Sequence, residues 1–229
     1  MNLFRERWGS LRTVSVVADW VWLKEGELKD LLAANAEAFG IVDEDRWSLF
    51  RNAPPAEDAR AGYSAALTCQ NGQTVHTLAG AQTLAVTSMI PVVGGAEKSV
   101  GYQPTISLIQ EGAALQVTPI SNRSGKFVTI DVHSRVSLVK SVERNKHEGD
   151  GEVEAIVSSI DRPEVLTQRL STTLRVPVGQ TILVGGMTFE GKPTAVDPNL
   201  YLFVTVVIQE LRDDLEEPKA EEKAPEVGG

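Results

Sequence analysis

Asp131-Val-His133 is the pair of side chains most capable of chemistry in this sequence. Alternate residues of a strand share a face, and a carboxylate beside an imidazole is a familiar general-base arrangement. Ser134 points the other way, and no third group in the sequence stands where it would complete a nucleophilic site. The pair is therefore expected to be part of a polar strand face turned to solvent or to a pore. His76 and His147 sit in unrelated segments. A second candidate, Gly186 to Lys192 (GMTFEGK), follows the strand-like TILVGG and matches the opening of a phosphate-binding loop. Pro193 stands where Ser or Thr should reach a magnesium ion, and PTAVDPN leads into another strand rather than a helix. Gly185-Gly186 is better explained as a tight bend or a close approach between strands.

One cysteine and three scattered histidines give none of the paired spacings of a zinc site. Asp213-Asp214 lie in an acidic run where no rigid scaffold fixes their separation. The sequence thus predicts no catalytic, cofactor-binding or metal-ligating residues, and a protein that is not an enzyme. Cys69 cannot form a disulfide within the chain and is expected to be a small buried residue.

With 229 residues, 42% of them apolar, the chain can bury a sizeable core. Of the formal charge of −9, residues 213–229 supply −5, from seven acids and two lysines. No Lys/Arg run offers a surface for a nucleic-acid backbone, so nucleic acid is not expected as a partner. The N-terminus lacks the apolar stretch and cleavage site of a signal peptide, and no run approaches the length of a membrane-spanning helix. Membrane contact, if any, falls to β-strands.

The elements that must position these residues are mostly strands. Val14, Val16, Ala18, Trp20 and Trp22 alternate along residues 13–23, with the two tryptophans expected in the core. Leu28, Leu31, Leu32, Ala36 and Phe39 form one helical stripe that Gly40 would end, and Asp43 could cap a further short turn carrying Trp47 and Phe50. From residue 63 the chain turns rich in Val, Thr, Ile and Leu, with strands expected at 64–69, 73–79, 82–92, 102–110, 112–119, 126–139, 152–160, 167–177, 180–190 and 199–211. Turns are expected at Asn71-Gly72, Gly94-Gly95, Asn122–Gly125, Gly149–Gly151 and Val178-Gly179. The expectation is a mainly β (α+β), antiparallel, hairpin-rich fold. Residues 1–62 would hold the N-terminal strand and amphipathic helix, 63–212 the β-domain, and 213–229 a disordered acidic tail.

One ordered pattern goes beyond fold class. Ser171-Thr-Thr-Leu-Arg-Val-Pro-Val-Gly179-Gln180-Thr-Ile-Leu-Val-Gly185-Gly186-Met187 resembles the secretin pattern of a Thr-rich strand, a Gly-Gln-Thr turn and a strand ending in Gly-Gly. Upstream, Asn71-Gly72-Gln73-Thr74, then Tyr102, then Gly112-Ala-Ala-Leu115-Gln-Val117-Thr118-Pro119 resembles the family's earlier blocks, in the same order. Phe127–Val139 and Tyr201–Ile208 are similar to the strands that follow. The resemblance covers about residues 64–211 and implies a subunit of an oligomeric secretion channel in the bacterial cell envelope or outer membrane. It implies self-association through strand edges into a ring, and other secretion-system or envelope proteins as partners.

Two family features do not fit in the sequence. There is no room for the stacked periplasmic domains, and Gly191–Asn199 stands in place of the family's Pro-, Leu- and Gly-rich segment. The second difference weighs against membrane insertion and leaves a soluble β-rich scaffold without a pore as the alternative. Gly112, Pro119, Gly179, Gln180, Gly185 and Gly186 are expected to shape the fold, so Gly185→Val or Gly186→Val should do more damage than Asp131→Asn or His133→Ala.

Overall fold

The computed structural model describes residues 12–32, 40–53, 62–93, 100–144, 160–189 and 198–210. Among these residues, eight strands and two short helices follow one another as β1 (Arg12–Leu23), α1 (Glu25–Leu31), α2 (Glu44–Asn52), β2 (Tyr63–Gln70), β3 (Val75–Val93), β4 (Val100–Ser121), β5 (Phe127–Arg144), β6 (Asp161–Pro177), β7 (Thr181–Met187) and β8 (Asn199–Glu210). They form two antiparallel four-stranded sheets, ordered β2-β1-β8-β7 and β3-β4-β5-β6.

Alternation of apolar side chains decides how the sheets stack. Val14, Val16, Ala18 and Trp20 of β1 and Leu200, Leu202, Val204 and Val206 of β8 turn one face of the first sheet inward. Ala113, Leu115 and Val117 of β4 meet them, with Val128, Ile130 and Val132 of β5. Across this layer the Trp20 indole Nε1–H donates to Ser134 Oγ at 3.0 Å, so the inward hydroxyl satisfies the one polar atom that Trp20 buries. Trp22 is half-buried against Phe189. Cys69 is buried, and that burial pushes its thiol pKa up.

The other face of the first sheet is covered by the helices. Leu23, Leu31, Val42, Trp47 and Phe203 make a second, smaller core there, with the Trp47 and Phe203 rings 4.6 Å apart. Asp43 caps α2 as expected, its carboxylate accepting the Arg46 N–H at 3.2 Å. Arg51 at the end of α2 lies 3.7 Å from the carboxylate of Asp19, a buried acid on β1 that also accepts from Ser64 Oγ at 2.7 Å.

Helix α1 is shorter than its apolar stripe implies. It ends at Leu31, because Leu32 turns extended and bridges Val42, which recruits Leu32 to a sheet-like contact instead of another helical turn. Gly40 does have a left-handed φ of 83°, but at the turn into that bridge. Ala36 and Phe39 lie outside the described residues, as do all but the last residue of the strand expected at 152–160, the glycine turns at 94–95 and 149–151, and His147. The two pairs of strands expected at 73–79 with 82–92 and at 102–110 with 112–119 are each one long strand, β3 and β4.

Candidate functional site

β3 and β4 pair from Val75↔Val117 to Val93↔Val100, and β5 and β6 from Phe127↔Pro177 to Arg144↔Asp161. Between the two hairpins, β4 and β5 pair only from Ser121↔Val128 to Gly112↔Ser137. Past that point each hairpin continues as its own arm. At the parting, Gly80 and Gly112 face each other across the β3–β4 ladder, with φ of 157° and 136°. A Cβ on Gly112 would fall 2.2 Å from the Ala79 carbonyl oxygen and 2.6 Å from Gly80 Cα. A Cβ on Gly80 would fall 2.1 Å from the Glu111 oxygen. Only a pair of glycines lets the backbones approach this closely, and both conformations disfavour any other residue.

The arms touch again farther out. The Val86 N–H, beside a register shift between Val86 and Ser88, donates to the carboxylate of Asp161 at 2.9 Å. Asp161 is buried at the start of β6, so an edge N–H of β3 is capped by the opposite edge strand. Around this contact the β3–β4 arm exposes Leu84, Ile106, Leu108 and Tyr102 on one face of the ladder, an apolar strip beyond what isolated surface residues account for.

Nearer the base, the outer face of the second sheet is polar. Register places His76, Gln116, His133 and Ser171 in one row, and Leu78, Ala114, Arg135 and Arg169 in the next. These line an open groove of about 830 Å³. Here the structure supplies a third group for Asp131 and His133. The imidazole Nε2 lies 3.1 Å from Asp131 Oδ2, while Nδ1 lies 2.9 Å from Ser171 Oγ. Thr173 Oγ1 donates to the other carboxylate oxygen at 3.0 Å. Ser171 opens the family pattern in the sequence, but its place beside His133 follows only from the β5–β6 register.

The order Asp, His, Ser matches that of a hydrolytic triad, but its surroundings do not. The His133 and Asp131 side chains are 47% and 45% exposed on an open sheet face. Triads work by holding the base in a water-poor site beside preorganised oxyanion donors. At half exposure the row is a polar ladder between strands. Among the described residues no group of three or more His, Cys, Asp or Glu is placed to hold a metal ion.

The other glycines named from sequence divide by cause. Gly179 has φ 81° at a turn where its N–H donates to the Val206 carbonyl at 2.8 Å, and Gln180 is exposed beside it. Pro119 is buried, and its carbonyl accepts from the Gly72 N–H at 2.7 Å, tying the β2–β3 turn to β4. Gly185 and Gly186 follow a bulge between Leu183 and Gly185. Side chains crowd them: Leu170 lies 3.3 Å from a Cβ on Gly185 and the Tyr201 ring 2.7 Å from one on Gly186. The expected bend is present, but the close backbone approach is at Gly80 and Gly112 instead. Of the phosphate-loop candidate, Gly186 and Met187 lie in β7, and Glu190–Lys192 fall outside the described residues.

The model of the Secretin family, described as bacterial type II and III secretion system protein, matches residues 57–197, more than half of the chain. The chain belongs to the secretin family. Secretins are transport channels rather than enzymes. No curated protein sequence matches the chain. Among solved structures, secretin similarity extends to the Klebsiella pneumoniae type II secretion system outer membrane complex of PulD, PulS and the PulC HR domain, at 14% identity over 89% of this chain and 41% of that one, TM-score 0.40. The type II secretin GspD of enteropathogenic Escherichia coli is similar at 14% identity over 93% of this chain and 73% of that one, TM-score 0.40. The Salmonella SPI-1 type III injectisome secretin InvG matches at 16% identity over 92% of this chain and 66% of that one, TM-score 0.37. This secretin chain spans about two fifths of the Klebsiella chain and about half of an Escherichia coli K12 GspD chain.

Proposed function

We propose that this secretin is a subunit of a ring-shaped channel for protein secretion in the bacterial cell envelope, assembled through the edges of its second sheet. The observation that carries the reading is the pair of long edge strands. β3 runs for 19 residues and β6 for 17, and no described strand pairs with the outer side of either. Such edges are a hazard in a monomer and are abolished by closure.

The four strands alternate in direction, so β3 and β6 run opposite ways. Set beside β3 of a neighbour, β6 would continue the antiparallel ladder along the base of the sheet, below the point where the two hairpins part. Four strands per copy always close an even-stranded barrel, the kind that spans outer membranes. The exposed Leu84, Ile106, Leu108 and Tyr102 would then face a membrane, a neighbour or the second wall of the barrel.

Negative-stain electron microscopy of the purified chain with and without mild detergent tests this. Rings with a central opening are expected. Particles of monomer size in both conditions would overturn the channel reading and leave a soluble scaffold that keeps the secretin core.

A further inference from the structure

The outer face of the second sheet carries charges with no counterpart. Arg135 and Arg169 are directly opposed across the β5–β6 ladder, and both are exposed. Like charges in opposed positions destabilise a sheet unless a counter-charge meets them. Neither guanidinium has a hydrogen-bond or ion-pair partner among the described residues. Arg175, three rows nearer the β4–β5 turn on the same face, lies over the Phe127 ring at 4.1 Å. The one acid on this part of the face, Asp131, already accepts from Thr173 and meets His133. Three guanidinium groups thus stand against one engaged carboxylate, in a chain whose formal charge is −9.

The chain carries its own complement. Residues 213–229 hold Asp213, Asp214, Glu216, Glu217, Glu221, Glu222 and Glu226 against Lys219 and Lys223. They follow β8, whose last pair, Arg12↔Glu210, lies beside the β4–β5 turn, where the Arg12 guanidinium donates to the Asn122 carbonyl at 3.0 Å. From Gly125 to Arg135 is ten residues of strand, about 34 Å, and crossing from one sheet to the other adds about 10 Å. The 16 residues from Glu210 to Glu226 span up to about 55 Å when extended. Reach and charge both suffice.

We propose that the acidic segment 213–229 docks within its own chain along the outer face of the β5–β6 hairpin, with Asp213–Glu217 toward Arg175 and Glu221–Glu226 at Arg135 and Arg169. Docking neutralises the opposed arginines and fills the groove that they share with His76 and His133. The segment acts as a built-in competitor for any acidic polypeptide that meets this face. The proposal does not depend on ring formation.

The test places the photo-cross-linker p-benzoylphenylalanine at Ala224 of the full chain, in an equimolar mixture of light and isotopically heavy copies. Tryptic mapping should find the cross-link on Phe127–Arg135 and Leu170–Arg175, within single copies. Replacing the seven acids by Asn or Gln changes none of the described residues and should cut the yield about tenfold, as expected for the loss of several exposed ion pairs. Arg135→Gln/Arg169→Gln should cut it similarly, with the thermal midpoint confirming the fold. Links on other segments, links that join light to heavy copies, or a yield indifferent to both sets of changes would each overturn the proposal.

Discussion

Gly112→Ala adds one methyl group at a point where two backbones already touch. Two costs combine. The φ of 136° is one that non-glycine residues occupy only under strain, about 1–3 kcal/mol. The new Cβ lies 2.2 Å from a carbonyl oxygen and 2.6 Å from Gly80 Cα, and relieving such overpacking costs about 1–3 kcal/mol more. A total of about 4 kcal/mol is a large part of the stability of about 5–15 kcal/mol expected of a domain. At a urea dependence of about 3 kcal/mol per M, the unfolding midpoint should fall by more than 1 M. Gly72→Ala is the control: φ is 79° but no atom lies within 4 Å of the new Cβ, so only strain of about 1–2 kcal/mol remains. Its midpoint should move by about a quarter to a half as much. Gly80→Ala/Gly112→Ala together should cost less than the sum of the single changes, because one opening of the ladder relieves both. Equal midpoints for Gly72→Ala and Gly112→Ala, followed by intrinsic tryptophan fluorescence, would refute the close approach as the cause.

Ser134→Ala strands the buried Trp20 indole N–H and should cost about 1–3 kcal/mol, whereas adding Trp20→Phe should recover part of that loss in a double-mutant cycle. His133→Ala and Ser171→Ala should each change stability by less than about 0.5 kcal/mol and leave assembly intact, well below Gly186→Val, which meets the Tyr201 ring; a His133 variant that folds but fails to assemble would refute the ladder reading. Asp161→Ala removes the acceptor of the Val86 N–H and should speed hydrogen exchange at Val86 without altering that of Val14 or Val16. Burial raises the pKa of Tyr63, with Glu111 adding to it, and burial raises that of Cys69, from ordinary values of 10.0 and 9.0. Raised folded-state values mean stability that is present below the ordinary pKa and lost as pH rises through the folded one. Urea midpoints should therefore hold to about pH 8 and fall at higher pH.

What could be learned from the sequence followed the range of the forces involved. Period-two alternation located β1 and β5, while β2 and β8 followed from composition and flanking turn residues. The expected strands left breaks at residues 80–81 of β3 and at residue 111 of β4, where a glycine lies in or beside the break and weakens the strand pattern. Here the two glycines answer each other across a ladder, and only pairing partners could reveal that. Gly112 stood out through a family motif, while Gly80 had none. The helical stripe carried Leu32 into the helix because no local pattern could register its bridge to Val42, which outweighs helix propensity there. Ser171 joined Asp131 and His133 through hairpin register alone.

The place of β1 has a consequence for synthesis. It lies between β2 and β8, and Val16 pairs both with nearby Leu67 and with distant Val206. A nascent chain emerging from the ribosome can form the β1–β2 ladder early, but one side of β1 stays open until the final strand is made. Through that interval the apolar face of β1 and both long hairpins are available to other chains. Pairings so distant along the chain slow folding and prolong exposure. A chaperone that binds extended apolar segments would find its best substrate before residue 210 leaves the exit tunnel, and premature termination within β8 should yield aggregate rather than a smaller domain.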